Sequence, residues 1–334
     1  MEQFVRQKED RPNSSRDWIR ATRGAAILLV LAVAGAACAT DSDTGPLTTH
    51  DDGAKPGKPD AVDARNPEAR TAIGAFRSAN AQAVALAAYQ QGQLQAGRVL
   101  AAQKWGLNRA PLLPPAPPAK KPKLTTEKGW ETETGGPGLP PVITRVPTKD
   151  KVIFLTMDDG SNKDPRLIKM MKELNIPYSA FLTDREAGED GYDYFRRMHK
   201  AGVPMHNHTL THPELRKMTY AQQYKEICGQ QENLKKAFGK RPPLFRPPYG
   251  DYNGDSLLAA KRCGVRAVPL WQQEVFPTKW DYRRADRRFH PGDIVLTHFR
   301  GSDEWDGTMP DVVRQVLKKA DREGYAIARL EDYV

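Results

Sequence analysis

From about Leu139 to the end, the sequence predicts an α/β domain of barrel type, and three observations carry that prediction. Short runs rich in β-branched and aromatic residues alternate with helical patterns. The connections between them are short, which suits parallel strands covered by helices. Six or more such units fit into the 195 residues from 140 to 334, which favours one barrel-like domain over two small ones.

The elements follow in order. "KVIFLTM" (Lys151–Met157) is a continuous apolar run of strand length and predicts a buried strand. "DPRLIKMMKELNI" has apolar residues at helical spacing, and "YSAFLT" returns to strand character. "DYFRRMHKAG" predicts a second helix, and "VPMHNH" a third strand. A long helix around Tyr220 to Phe238 precedes "LFRPP", "GDSLLAAKRCG", "VRAVPLW", "DIVLTH" and the closing helical pattern "DVVRQVLKKADREGY". In such folds functional groups gather at the C-terminal ends of the strands.

Two other segments precede this domain. Arg16, Arg20 and Arg23 come before "GAAILLVLAVAGAAC", an uncharged stretch ending at Cys38. It falls short of the roughly 20 apolar residues a membrane span needs and suits the hydrophobic part of an export signal. "GAAC" resembles a bacterial lipoprotein signal, which would make Cys38 a lipidation site; Gly35 stands where such signals usually carry Leu. Cleavage near Ala39 and an uncleaved anchor stay open. Residues 1–39 therefore read as signal or membrane anchor. Residues 40–139 read as a largely disordered Pro/Ala-rich spacer: "TDSDTGPLTTHDDGAKPGKPD" is too polar to order itself. Its Ala/Gln-rich middle could form a helix, and "APLLPPAPPAKKPK" should be extended and semi-rigid.

Composition narrows the function classes. The 51 basic and 41 acidic residues give a net charge of +10, which favours an anionic neighbourhood such as headgroups or wall polymers. No long Lys/Arg run or aromatic-interleaved basic stripe is present, which argues against nucleic acid. Cys228 and Cys263 would lie in an oxidising compartment after export, so a disulfide between them and two buried thiols are both open.

Four segments carry chemistry. In "TMDDG", Asp158 and Asp159 are adjacent at a strand end, a costly place to keep two ionised acids. "HNHTLTH" holds His206, His208 and His212, and the last two, four apart, would share one face of a helical turn with metal-ligand spacing. In "LFRPPYGDYN" two prolines stiffen the strand exit and fix the direction of Arg246 and the backbone at Tyr249. "GDIVLTHF" delivers His298 at the end of a β-branched strand.

In this order the segments resemble the polysaccharide deacetylase (NodB-homology) family, carbohydrate esterase family four, over about Pro140 to Val334. "TMDDG" is similar to its Thr-Phe-Asp-Asp-Gly, with Met157 for Phe. "HTLTH" is similar to its His-Ser/Thr-x-x-His, "RPPY" to its Arg-x-Pro-Tyr and "LTH" to its Leu-x-His. The resemblance implies a distorted (β/α) barrel and one divalent metal, Zn2+ or else Co2+ or Ni2+, on Asp159, His208 and His212. It further implies Asp158 as the base toward a metal-bound water, the Tyr249 backbone N–H for the oxyanion, His298 as general acid and Arg246 as the orienter of Asp158. His206 receives no role. The segment "LWQQEVFPTKWDY" departs from the family, which places an Asp there to support the catalytic His; Glu274 and Asp281 both stay open for that support. Trp271 and Trp280, with Pro247, could line a sugar-binding face, or the tryptophans could be core residues.

The reading that follows is an exported, metal-dependent deacetylase of the bacterial cell envelope, monomeric and held to the membrane by its N-terminal anchor. Its substrate would be N-acetylglucosamine units of peptidoglycan or chitin-like oligomers. A glycan-binding wall protein without turnover, an O-deacetylase of a polymer such as xylan, and a hydrolase of other small amides are the alternatives.

Overall fold

The computed structural model describes residues 67–127, 136–188 and 191–334. The expected signal, Cys38 and the polar first part of the spacer lie outside the described residues. No helix among the described residues is long and apolar enough to cross a membrane.

In chain order the elements begin with α1 (Pro67–Lys104), β1 (Val142–Ile143), β2 (Val152–Asp159), α2 (Pro165–Leu174), β3 (Ser179–Leu182), α3 (Asp184–Ala187) and α4 (Gly191–Lys200). They continue with β4 (Met205–Asn207), α5 (Tyr220–Phe238), α6 (Gly254–Arg262), β5 (Val268–Pro269), β6 (Gln273–Val275) and β7 (Trp280–Tyr282). β8 (Ile294–His298), α7 (Met309–Glu323) and β9 (Ala326–Ile327) complete the domain.

Strand β2, the apolar run of the sequence, is buried along its whole length and sits at the centre. β3 and β8 pair with it in parallel on either side, β4 lies beyond β3, and β6 lies beyond β8. β7 adds an antiparallel edge and β9 pairs with the start of β2, so the sheet is mixed. Isolated bridges carry the ladder further: Asn207 to Phe245, Leu244 to Ala267, and Arg145 to Asp293. With the parallel pair β1–β5, these links run round a distorted ring back to β8.

Side-chain alternation along β2 divides the core. Ile153, Leu155 and Met157 face the helices, in one cluster with Leu167 and Met171 of α2 and Val312 and Val316 of α7. Val152 and Phe154 face inward, in a cluster with Phe181, Leu244, Ala267 and Ile294. Asp158 continues the inward-facing parity. The C-terminal residues Leu330 and Tyr333 belong to the same inner cluster, so the end of the chain fills one end of the ring.

The structure differs from the expected spacer in its last part. α1 is helical, and its side chains from Ala81 to Gly97 are exposed all round. Beyond them the chain docks on the domain. Ala102 and Leu107 are buried in the cluster with α2 and α7. The Trp105 indole donates to Glu173 at 2.7 Å, and Arg314 of α7 donates to the Trp105 carbonyl at 2.9 Å. The proline-rich stretch is extended, and past it the Lys121 ammonium donates to the carbonyls of Glu331 and Val334, each at 2.7 Å. Apolar burial and these bonds offset the entropy of ordering a segment whose composition alone would leave it loose.

Cys228 on α5 and Cys263, which caps the C-terminus of α6, form a disulfide with their Cα atoms 5.2 Å apart. Of the two states left open by the sequence, the structure contains the bridged one.

Candidate active site

The two acids reach one place because the strand ends between them. Asp158 keeps the inward parity, whereas its neighbour would face the opposite side. Asp159 instead adopts a left-handed backbone, φ 76°, as the chain leaves β2. Both carboxylates then converge with histidines at the C-terminal mouth of the ring.

Asp158 is held by a fully buried guanidinium: Arg246 Nη1 donates to its Oδ1 at 2.6 Å and to Thr156 Oγ1 at 2.9 Å. The same arginine donates to the carbonyl of Pro269 at 2.7 Å and lies over the Phe181 ring at 4.3 Å. Burial raises the Asp158 carboxyl above its ordinary value, with Arg246 and His208 opposing it. The outcome is a stronger base than a surface carboxylate, with Oδ1 engaged and Oδ2 turned toward His208 Nε2 at 3.7 Å.

The segment from Asn207 to His212 is a turn; the expected helical turn does not form. Left-handed backbone at Thr209 (φ 72°) and His212 (φ 57°) rules it out. Side-chain bonds replace helical ones: Thr209 N–H donates to Asn207 Oδ1 at 2.8 Å, and His212 N–H to Thr209 Oγ1 at 3.1 Å. Glu226 on α5 accepts from both the backbone and the hydroxyl of Thr211, each at 2.9 Å. The two imidazoles still meet, with ring centroids 4.9 Å apart, and the exposed Tyr249 ring stands 4.6 Å from that of His212.

These contacts settle the tautomer of His208. Its Nδ1 lies 2.7 Å from the Arg246 carbonyl, which can only accept, so Nδ1 carries a proton and Nε2 is the ring nitrogen turned toward the acids. That Nε2 lies 3.6 Å from Asp159 Oδ1, and His212 Nε2 lies 3.4 Å from the same oxygen. Burial, followed by the neighbouring His208, pushes His212 down to about 3, which keeps it neutral. Asp159 Oδ1 is buried and has no hydrogen-bond partner. An unpartnered carboxylate oxygen facing the Nε2 atoms of two imidazoles is a donor set for a divalent metal, and the three ligand atoms lie within 4.8 Å of one another.

Across the mouth, His298 pairs in register with Asp158 between β8 and β2. Its Nδ1 donates to Asp159 Oδ2 at 3.0 Å and its Nε2 to Glu274 Oε1 at 2.9 Å. Burial works against the charged ring, but Asp159 and Glu274 outweigh it and raise His298 to about 10. Burial likewise works against the Asp159 carboxylate, yet His298 and His208 together hold it well below the usual range.

Of the two acids left open by the sequence, Glu274 therefore meets His298, while Asp281 pairs with Lys279 at 3.3 Å. Pro247 is buried behind the site. Trp271 packs against Gly250, beside Tyr249, and lies under Arg283 at 5.0 Å. Trp280 instead belongs with the core: it stacks on Tyr282 at 5.9 Å, meets Phe289 at 5.8 Å, and lies under Lys319 of α7. His206 points away from the histidine pair into the ring, 2.6 Å from Glu331. Two neighbours of the site were not singled out in the sequence, Arg300 and Trp305. The Trp305 ring stands 6.1 Å from that of His298, and Arg300 Nη2 is 3.5 Å from Asp159 Oδ2. Nothing in the pattern of the short loop after "LTHF" marks either of them.

The family model described as polysaccharide deacetylase matches residues 145–268, which takes in both acids, the histidine pair and Arg246 and stops short of Glu274 and His298. An uncharacterised protein of Streptomyces coelicolor is 38% identical over 200 residues, covering 60% of this chain and 79% of the relative. The chain belongs to the polysaccharide deacetylase family. Within that family, a peptidoglycan-N-acetylmuramic acid deacetylase of Bacillus subtilis is 27% identical over 196 residues, covering 55% of this chain and 72% of the relative. Among solved structures, a mutant of a carbohydrate esterase family four pseudoenzyme with restored activity superposes with a TM-score of 0.50 at 21% identity. The match covers 58% of this chain and 71% of that one, and it shows the shared fold.

Proposed function

We propose that this member of the deacetylase family removes acetyl groups from N-acetylated amino sugars of a cell-surface glycan, with a divalent metal held by Asp159, His208 and His212. The observation that carries the reading is the pairing of two differently tuned acids at one mouth. Asp158 is a raised carboxyl clamped by Arg246, and Asp159 is an ionised carboxylate with a bare oxygen toward two imidazoles. The likeness to the Bacillus subtilis peptidoglycan deacetylase supports peptidoglycan as the polymer.

The metal, when bound, would supply Lewis acidity at the acetamide carbonyl and lower the pKa of a water. Asp158 takes the proton of the attacking water on Oδ2, because Oδ1 is engaged by Arg246. His298 is charged at neutral pH and gives a proton to the departing amine nitrogen. Glu274 anchors its Nε2, so the proton delivered is the one on Nδ1, which faces the metal ligands. Tyr249, with a left-handed backbone at φ 61°, offers its backbone N–H to the developing oxyanion. Membrane attachment through the N-terminal segment, a monomeric state and zinc as the metal belong to the same proposal.

The test is acetate release by the zinc-loaded full chain from peptidoglycan and from chitopentaose. Asp158→Asn is expected to keep one equivalent of metal and lose activity by a factor on the order of 10² to 10⁴. Asp159→Ala is expected to lose the metal. A fully active Asp158→Asn variant would disprove the base assignment, and metal binding without release from any acetylated glycan would favour a binding protein.

A further inference from the structure

The two ends of the ring carry their charge differently. The parallel strands β2, β3, β4 and β8 all end at the mouth, so the residues just before them form the opposite end. Lys151 immediately precedes β2, Lys200 closes α4 on the way to β4, and Lys240 follows α5. Arg266 donates its backbone N–H to the Pro243 carbonyl at 2.7 Å, just before the bridge between Leu244 and Ala267. Lys149 belongs to the same end, as does Lys123, two residues past the Lys121 that holds the carbonyls of Glu331 and Val334. All of these cations are exposed, and none has a hydrogen-bond or ion-pair partner for its side chain among the described residues.

The carboxylates at this end are taken up within the protein. Asp150 accepts from the Tyr333 hydroxyl at 3.1 Å, Glu331 from Ser179 at 2.7 Å, and Glu173 from Lys104 and Trp105. At the mouth the exposed cations instead stand beside carboxylates: Lys217 with Glu214 at 2.7 Å, Arg216 with Asp251 at 3.5 Å, Lys279 with Asp281 at 3.3 Å. An unpaired positive face therefore lies opposite the site. It is also apolar between its charges. The proline-rich stretch crosses it with Pro115 and Pro117 exposed, and with Ile176, Tyr178 and Pro204 these prolines line a cavity of about 490 Å³. Leu113, 57% exposed, lines the adjoining groove with Asn175.

We propose that this face docks on an anionic lipid bilayer, the lysines and Arg266 meeting headgroup phosphates and the proline stretch meeting the acyl boundary. Charge alone would suit any polyanion. Apolar surface ringed by cations is what the boundary between headgroups and acyl chains favours. Each cation brought near such a surface strengthens binding about fivefold. β2 is eight residues long, so the mouth stands roughly 25 Å from the bilayer and faces away from it. The inference concerns a surface that the deacetylase reading does not use, and it goes beyond that reading.

The experiment is amine-acetylation footprinting of the full chain, read by mass spectrometry, with vesicles of phosphatidylcholine alone and of phosphatidylcholine mixed with phosphatidylglycerol. Arg16, Arg20 and Arg23 would draw the chain to the same mixed vesicles, so the positions protected decide the matter and binding alone does not. Lys151, Lys200 and Lys240 are expected to react about tenfold more slowly on the mixed vesicles, while Lys217 and Lys279 keep their rates. In a chain carrying Lys151→Gln, Lys200→Gln and Lys240→Gln, protection of Lys123 and Lys149 should fall to about twofold or less. Protection of Lys217 and Lys279 in place of the others overturns the proposal, and so do unchanged rates throughout. Full protection of Lys123 and Lys149 in the triple variant overturns it as well. Protection by soluble polyglycerol phosphate but not by vesicles would assign the face to a wall polymer and end the lipid reading.

Discussion

Asp158 and Asp159 show how one peptide bond can separate two chemistries. Strand parity sends the first into the ring, where burial and a 2.6 Å guanidinium contact compete for its proton. The left-handed step at the second brings its carboxylate to three histidines. The adjacency of the acids was legible in the sequence; the backbone conformation that makes it useful was not, because φ at a strand end depends on what the next residues pack against. Glu274 was legible only as one of two candidates, since the register of β6 on β8, not the spacing of residues, brings it to His298. The carboxylate of Glu274 helps hold His298 up at about 10. Glu274→Gln should therefore move the alkaline limb of the activity profile to lower pH and reduce kcat on the order of tenfold, as read from kcat against pH. An unmoved limb would mean that His298 is not the proton donor.

At the scale of elements, the histidine segment corrects a natural expectation. Spacing of four suggested helix, yet Thr209, Thr211 and Asn207 bond locally and to α5, and such short polar side chains compete with helical bonding. The ligands are positioned by α5 as much as by their own strand: Asn207 Nδ2 donates to the Ile227 carbonyl at 2.8 Å, and Glu226 holds Thr211. α5 is in turn tied to the end of α6 by the disulfide, which joins residues 35 apart in sequence. Closing such a loop in the unfolded chain corresponds to about 3–4 kcal/mol of stability. Replacing both Cys228 and Cys263 by Ser should lower the unfolding free energy by that amount and, by releasing the unfolded chain from the crosslink, raise the m-value, measured in guanidinium. Zinc affinity should fall with it if α5 sets the ligands.

For the molecule as a whole, the strand–helix alternation predicted the layers correctly, because the periodicity of each element records which faces are buried. The docking of residues 101–127 was not legible, since a Pro/Ala-rich composition says only that the segment cannot fold by itself. Leu107, Ala102 and the Lys121 bonds belong to the domain, so a fragment starting at Pro140 should be less stable than one starting at Ala96 by about 3–5 kcal/mol, judged from the apolar area it uncovers. Thermal melts of the two fragments check this. The inner ring carries one further dependence. Burial works against the Glu331 carboxylate, but His206 and Ser179 outweigh it and keep its pKa below the ordinary value. The unfolded chain therefore binds a proton at Glu331 more readily than the folded one, and the stabilisation present above pH 4.5 is lost as pH falls through the folded value. Glu331→Gln should flatten the fall of Tm between pH 5 and pH 3, recorded by circular dichroism (pH range about that of ordinary carboxylates).

The Lys121 ammonium grips the Val334 carbonyl across 213 positions of sequence. β9, Tyr333 and this grip are made long after β2, which they complete. A chain growing from its N-terminus must therefore hold an open, apolar ring until residues 326–334 are free to enter. Pairing over such separations is slow to nucleate, so the ring should close only after residues 326–334 have been made and freed.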